Sequence, residues 1–199
     1  MPLRHLVCAF AVMSALAAPA AAQDAGRVGV TMGYPGAVGV VWHLTDGIAL
    51  RPDVSVTRGS SESTTTGTFT GGFGGTPTSS TTMSEGWSTT VGLSALFTMK
   101  TIERLRIYLT PRLAWSHSST DSEAGVTGGL SSFDVTTRGF ITSASVGTQY
   151  GLHDRFAVFG ELGAQYSDLD TRSVSPGTRN RSNNTTLGLR SAVGVIVYF

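Results

Sequence analysis

Apolar side chains recur at every second position through eight stretches of this chain, and residues two apart share one face of a strand. Arg27–Tyr34 sets Val28, Val30, Met32 and Tyr34 on one face, and Ala37–Leu44 does the same with Val38, Val40, Trp42 and Leu44. Ile48–Arg58 carries Ile48, Leu50, Val54 and Val56 against Arg51, Asp53, Ser55 and Thr57. In Trp87–Met99, Trp87, Val91, Leu93, Ala95, Phe97 and Met99 oppose Thr90, Gly92, Ser94 and Thr98. The cleanest alternation sets Leu105, Ile107, Leu109, Leu113 and Trp115 against Arg106, Tyr108, Thr110, Arg112 and Ala114. Val135–Tyr150 and Phe156–Ser167 follow the same rule, with Phe140, Ala144, Val146 and Tyr150, then Phe156, Val158, Leu162, Ala164 and Tyr166, on the apolar side. The final stretch, Leu187–Phe199, places Leu187, Leu189, Val193, Val195, Val197 and Phe199 on one face and Arg190, Ala192, Gly194, Ile196 and Tyr198 on the other. Eight such strands predict an all-β, eight-stranded, antiparallel up-and-down barrel.

Connections of alternating length supply the topology. Thr45–Gly47, Lys100–Arg104 and Gly151–Arg155 are short, whereas Gly59–Gly86, Ser118–Asp134 and Leu169–Asn184 are long. Transmembrane barrels of bacteria keep short turns on the periplasmic side and long loops outside. Tyr34–Gly36 is then the one short outer connection. Pro52 and Pro111 fall inside expected strands, where a missing N–H removes a ladder hydrogen bond, so bulges are expected there.

Composition narrows the setting. Met1–His5 is a short basic start, Leu6–Ala18 an apolar run, and Ala20–Ala22 an A-x-A cleavage site, so residues 1–22 read as a secretory signal peptide and 23–199 as one barrel domain. About 13 apolar residues are too few for a spanning helix. Cys8 lies inside the signal, which leaves the mature chain without thiol chemistry. A net charge of +1 with few aromatic residues near basic ones argues against nucleic acid as a partner.

Alternation alone does not say which face is inside, because a soluble lipocalin-like barrel would bury Leu105, Ile107 and Leu109 around a ligand. The signal peptide, the loop-length rule and the aromatic residues near strand ends favour the membrane arrangement. Trp42, Phe97, Tyr150, Phe156 and Phe199 would form the periplasmic girdle, and Tyr34, Trp87, Trp115 and Tyr166 the outer one.

A closing strand that alternates and ends in Phe199 resembles that of bacterial outer-membrane barrels, where it is the signal read by the barrel-insertion machinery. The whole mature chain resembles the small eight-stranded family of OmpX, the membrane domain of outer membrane protein A and the opacity proteins. That resemblance implies a location in the cell outer membrane, export past periplasmic chaperones, contact with outer membrane lipids and lipopolysaccharide, a polar hydrogen-bonded interior and surface loops that carry interactions. It implies no cofactor. Arg51, Arg106, Arg112 and Arg190 would point inward with Asp53, Glu161 and Gln165, and buried charge requires partners, so Glu161 is expected to meet Arg190 and Asp53 an arginine nearby or across the lumen. Eight strands leave room for little beyond side chains, which favours filling over transport through a narrow channel or small-molecule conduit.

The long connections carry weaker signals. Ser60–Ser84 is rich in Ser, Thr and Gly with Phe69 and Phe73 as aromatic handles, and reads as solvated disorder or a hairpin rising above the membrane rather than as a defined pocket. Asp121, Glu123 and Asp134 in one loop and Arg172, Arg179 and Arg181 in the next could pair with each other or with lipopolysaccharide phosphates. His117 and Ser119, two apart on the lipid-facing side with Asp121 and Glu123 close by, resemble the pair of a lipid A deacylase, in which His117 would act as base on Ser119. The flanking residues do not match that family, and the acid would have to come from a neighbouring strand. The sequence is therefore read as non-enzymatic, with no catalytic or cofactor-binding residue assigned and no metal-ligand spacing among His43, His117 and His153.

Overall fold

A computed structural model describes residues 25–69, 76–126 and 129–199 of the chain. The expected signal peptide and Phe73 lie outside the described residues. Eight strands pair antiparallel in sequence order and close on themselves: β1 (Val28–Tyr34), β2 (Ala37–His43), β3 (Ile48–Phe69), β4 (Thr76–Ile102), β5 (Leu105–Val126), β6 (Gly129–His153), β7 (Phe156–Ser175) and β8 (Thr178–Tyr198). Following hydrogen-bonded partners once around from Gly33, through Ala37, Ser55, Thr90, Ser116, Gly139 and Leu169, leads to Asn184 on β8. The direct partner of Gly33 on β8 is instead Gly194, so the sheet closes with a stagger of ten residues. Such a stagger goes with strands tilted by about 40° to the barrel axis.

The faces fall as the alternation predicts. Val54, Leu93, Leu113, Val146, Leu162 and Val193 cover the outer wall, while Arg51, Ser94, Thr110, Ser145 and Glu161 are buried inside. This arrangement excludes the inside-out soluble barrel, whose apolar face would be enclosed. Of the girdle residues, Trp42, Tyr150 and Phe199 at one end and Tyr34, Trp87, Trp115 and Tyr166 at the other are exposed, with Phe97 and Phe156 half-buried on the same wall. Among the aromatic residues, the inner set is Tyr108, Phe159 and Tyr198, packed with Val41, Ala49, Leu96, Ala157 and Ile196.

Strand length departs from the sequence reading. β3 to β8 run for 20 to 27 residues, far beyond the about 9–11 that span a bilayer. The three long connections are therefore mostly hairpin: Arg58 pairs with Trp87, Asp121 with Asp134, and Arg172 with Arg181. Their Ser/Thr-rich sequence is polar on both faces and so carries no apolar period, yet β-branched Thr suits a strand and the backbone pairs regardless. The prolines also depart from expectation. Pairing is interrupted beside Pro52, between Gly39–Asp53 and Trp42–Leu50, and beside Pro111, between Ser94–Arg112 and Phe97–Leu109, with no change of register. The register shifts lie instead at Thr98/Lys100 and Gly151/His153, next to the short turns.

β1 and β2 are only seven residues each and turn at Pro35–Gly36. Pairing across them ends at Tyr34–Val193 on one side and Ala37–Ser55 on the other. Above that level, residues 56–69 of β3 pair only with β4 and residues 178–192 of β8 pair only with β7, so the barrel wall is notched between them.

Candidate functional site in the barrel interior

The inward positions of β3, β5, β7 and β8 bring five charged side chains together at mid-height. Glu161 on β7, whose side chain is 0% exposed, accepts hydrogen bonds at Oε1 from Arg51 Nη2 at 2.6 Å and from the Tyr108 hydroxyl at 3.1 Å. Its Oε2 accepts from Arg190 Nη1 at 3.1 Å, and the same nitrogen lies 3.4 Å from Ser145 Oγ. Arg112 on β5 grips Asp53 on β3 with both arms, Nε to Oδ2 at 3.0 Å and Nη2 to Oδ1 at 2.5 Å. Arg51 also lies over the Phe159 ring, 5.1 Å from its centroid. The expected Glu161–Arg190 pair is thus present, and Asp53 finds its arginine on β5 rather than on an adjacent strand. Arg51 as a partner of Glu161 from the far side of the lumen was not foreseeable, because no local spacing shows which strands face each other across a closed barrel.

Two glycines make room for this cluster. A Cβ at Gly147 would lie 2.5 Å from the Tyr108 ring, and one at Gly92 would lie 2.4 Å from Arg112 Nη2. Small residues on β4 and β6 therefore allow two large inward side chains on β5 to lie flat against the wall.

Beneath the charges, Val41, Leu96, Tyr108, Phe159 and Ile196 form an apolar layer. A second polar group lies below it at the periplasmic mouth. There Tyr198 OH accepts from Gln149 Nε2 at 3.0 Å and lies 3.1 Å from His43 Nε2, while the Arg27 guanidinium covers the Tyr198 ring at 3.9 Å. Arg106 Nη1 reaches to 3.5 Å from His43 Nδ1, which places Arg106 in this lower group rather than in the central one. On the outer side of the charged layer lies a cavity of about 210 Å³, lined by Arg51, Asp53, Arg112, Gln165 and Arg190 and reaching Tyr34, Pro35 and Ser191.

The other candidate residues stand on the outer wall above the apolar belt. His117 lies between the rings of Trp87 and Trp115, 5.1 and 5.7 Å away between centroids. Its neighbours across the sheet are Thr89 and Arg138, and those of Ser119 are Trp87 and Thr136. No carboxylate comes from either neighbouring strand at these positions, so the structure does not assemble the triad that the His-x-Ser spacing suggested. Arg181 pairs with Asp170 on β7, not with the acidic residues of the preceding hairpin, and Arg58 pairs with Glu85. The Arg181 hydrogen bond, with the further pull of Arg172 and Arg138, holds the Asp170 carboxyl below its ordinary range. Among the described residues, no group of three His, Cys, Asp or Glu is placed to hold a metal ion.

A closed sheet of eight strands that is apolar outside, charged inside and girdled by aromatic residues at both ends is the architecture of an outer-membrane β-barrel, and its place is the cell outer membrane. Compared by sequence, the chain matches no protein-family model and no curated protein. Compared by structure, it is similar to a major outer membrane protein from Thermus thermophilus, with 13% identity and a TM-score of 0.54 over 87% of this chain and 98% of that one. CarO of Acinetobacter baumannii (12% identity, TM-score 0.44, 88% and 98% covered) and CarO2 of the same organism (10%, 0.42, 87% and 97%) are further structural matches.

Proposed function

We propose that this protein is a plugged outer-membrane barrel of the OmpX and outer membrane protein A kind, which anchors three tall hairpins at the cell surface for structural or interaction roles. The observation that carries this reading is the stacking of the interior. A fully buried carboxylate held by two arginines and a tyrosine sits directly on an apolar layer, and this stacking supports an interior filled by side chains. An eight-stranded wall encloses too little space for both this filling and a channel. Phe199, outward and exposed at the end of the β8 segment, supports assembly by the barrel-insertion machinery after escort by periplasmic chaperones. Arg138, Arg172 and Arg181 on the outer wall, above the apolar belt, support contact with lipopolysaccharide phosphates.

Planar-bilayer recording of the refolded protein tests the plug. The expected result is no steady conductance from the wild type. Regular, ion-selective single-channel steps that shift in selectivity with Glu161→Gln would replace this reading with that of a conduit.

A further inference from the structure

On β6, β7 and β8 the outer wall turns from apolar to cationic within two rows of the sheet. Cross-strand pairing sets Arg138, Asp170 and Asn183 side by side in one row, and Thr136, Arg172 and Arg181 in the row above. By alternation these side chains share the face of Val146, Leu162 and Leu189, the exposed residues of the lipid-facing wall. Phe140, exposed on β6, is the last apolar position below Arg138. The arginines therefore stand where the apolar wall ends, beside the outer aromatic girdle, and not on the lumen side of the hairpins.

Three exposed guanidinium groups meet there over too little negative charge. Asp170 is taken by Arg181, whose Nε lies 3.1 and 3.0 Å from its two carboxylate oxygens. Arg138 and Arg172 flank the same carboxylate, one directly across the sheet and one two residues along β7, yet neither makes a hydrogen bond or ion pair among the described residues. The other neighbour of Arg138 is His117, which is turned against the rings of Trp87 and Trp115, and the other neighbour of Arg172 on β6 is Thr136. Arg172 and Arg181 are direct cross-strand partners, and like charges directly opposite cost stability in the free sheet. Asp168 in the row below still leaves one positive charge unmatched, and Asp134 and Arg179 in the row above add one charge of each sign.

From these observations we propose that Arg138, Arg172 and Arg181 form a docking site for one phosphate monoester on the sugar headgroup of an outer-leaflet glycolipid, bound directly and not through a divalent cation. The proposal rests on the reading of this wall as a contact with lipopolysaccharide and assigns that contact to one site. Guanidinium groups suit the task, because their planar forks take phosphate oxygens two at a time. A phosphate between Arg172 and Arg181 offsets their repulsion and gives Arg138 the acceptor that it lacks. Asn183 and Thr136, in the same two rows, offer neutral donors and acceptors for sugar hydroxyls. The acyl chains of such a lipid lie against Phe140, Leu162 and Leu189 below, which favours a lipid-borne phosphate over a soluble one.

The test titrates the barrel, refolded in neutral detergent, with lipid A in excess EDTA. Native mass spectrometry counts the bound lipid, tryptophan fluorescence reads the affinity, and gel mobility before and after heating checks the folding of every variant. One saturable lipid A per barrel is expected. Arg138→Gln and Arg172→Gln should each weaken it about tenfold, the loss of a charged hydrogen bond. Asp170→Asn frees Arg181 for the phosphate and should tighten binding up to about fivefold, the worth of the exposed ion pair that it breaks. Arg58→Gln, which removes a charge from β3 away from the site, should leave binding unchanged. Equal binding of lipid A stripped of its phosphates, or undiminished binding when Arg138→Gln and Arg172→Gln are combined, would overturn the site and leave the wider contact standing. Binding that vanishes in EDTA and returns with Mg²⁺ would overturn it in favour of a cation bridging the carboxylates. Displacement by inorganic phosphate at the concentration of the lipid would overturn it in favour of a soluble-anion site. No bound lipid A at all would overturn both the site and the reading of this wall as a contact with lipopolysaccharide.

Discussion

Replacing Glu161 by Gln is the most informative single perturbation of the interior. The carboxylate is fully buried and accepts from three donors, two of them guanidinium groups. The amide that replaces it carries no charge and one acceptor oxygen, so it can retain at most part of the contacts with Arg51 and Tyr108 and none of the charge compensation. Three arginines would then face Asp53 alone. Breaking a buried ion pair by removing one partner costs about 3–5 kcal/mol, and with two arginines affected the upper half of that range is expected. Urea titration of folding into lipid vesicles, read by tryptophan fluorescence and by heat-dependent gel mobility, gives the value. The decisive comparison is the double variant Glu161→Gln with Arg51→Gln, which removes one of the stranded cations and should recover about half of the loss, an interaction detectable in a double-mutant cycle. A loss below about 1 kcal/mol for Glu161→Gln, or additive effects of the two changes, would mean that water solvates the arginines. The stacked-plug account would then be wrong.

Leu162→Arg places a charge on the outer wall within the apolar belt and should cost about 2–4 kcal/mol in the same refolding assay, whereas a neutral result would put that wall outside the bilayer. Gly147→Ala should prevent Tyr108 from lying against β6, lowering stability by about 1–3 kcal/mol, and a smaller Tyr108→Leu partner should relieve the defect. A cysteine at Ser61 should react with an impermeant maleimide on intact cells and one at Thr101 should not; the reverse would invert the topology.

What could be read from the sequence was whatever leaves a period-two signature. The apolar wall does so, and from it came the strand count, the inward set and the Glu161–Arg190 neighbours on β7 and β8. The hairpin extensions were only partly legible, because they carry no apolar stripe: Ser60, Ser61, Ser63, Thr64 and Thr65 present the same polar chemistry to both faces, which left 60–84 open between a solvated segment and a hairpin and gave no sign of strand in the other two long connections. Contacts across the lumen were hidden for a geometric reason. Which residues of β3 face β5 and β7 depends on the stagger of the closed sheet, a property of the whole ring, so Arg51–Glu161 and Asp53–Arg112 emerge only after closure. Gly92 and Gly147 looked like ordinary small inward residues, and their role as clearance for Arg112 and Tyr108 depends on the same register.

The unequal strand lengths also divide the barrel mechanically. β1 joins β8 through six residue pairs, Gly29–Tyr198 to Tyr34–Val193, whereas β3 joins β4 through 22. The short hairpin therefore acts as a narrow staple across a broad, self-supporting curved sheet. Unzipping should begin where that staple is attached, at the six pairs of β1 with β8 or the five of β2 with β3, so amide protons of Val30 and Met32 should exchange well before those of β5 and β6, and the lifetime of the folded barrel should be set by how often the staple comes loose rather than by the stability of the sheet as a whole.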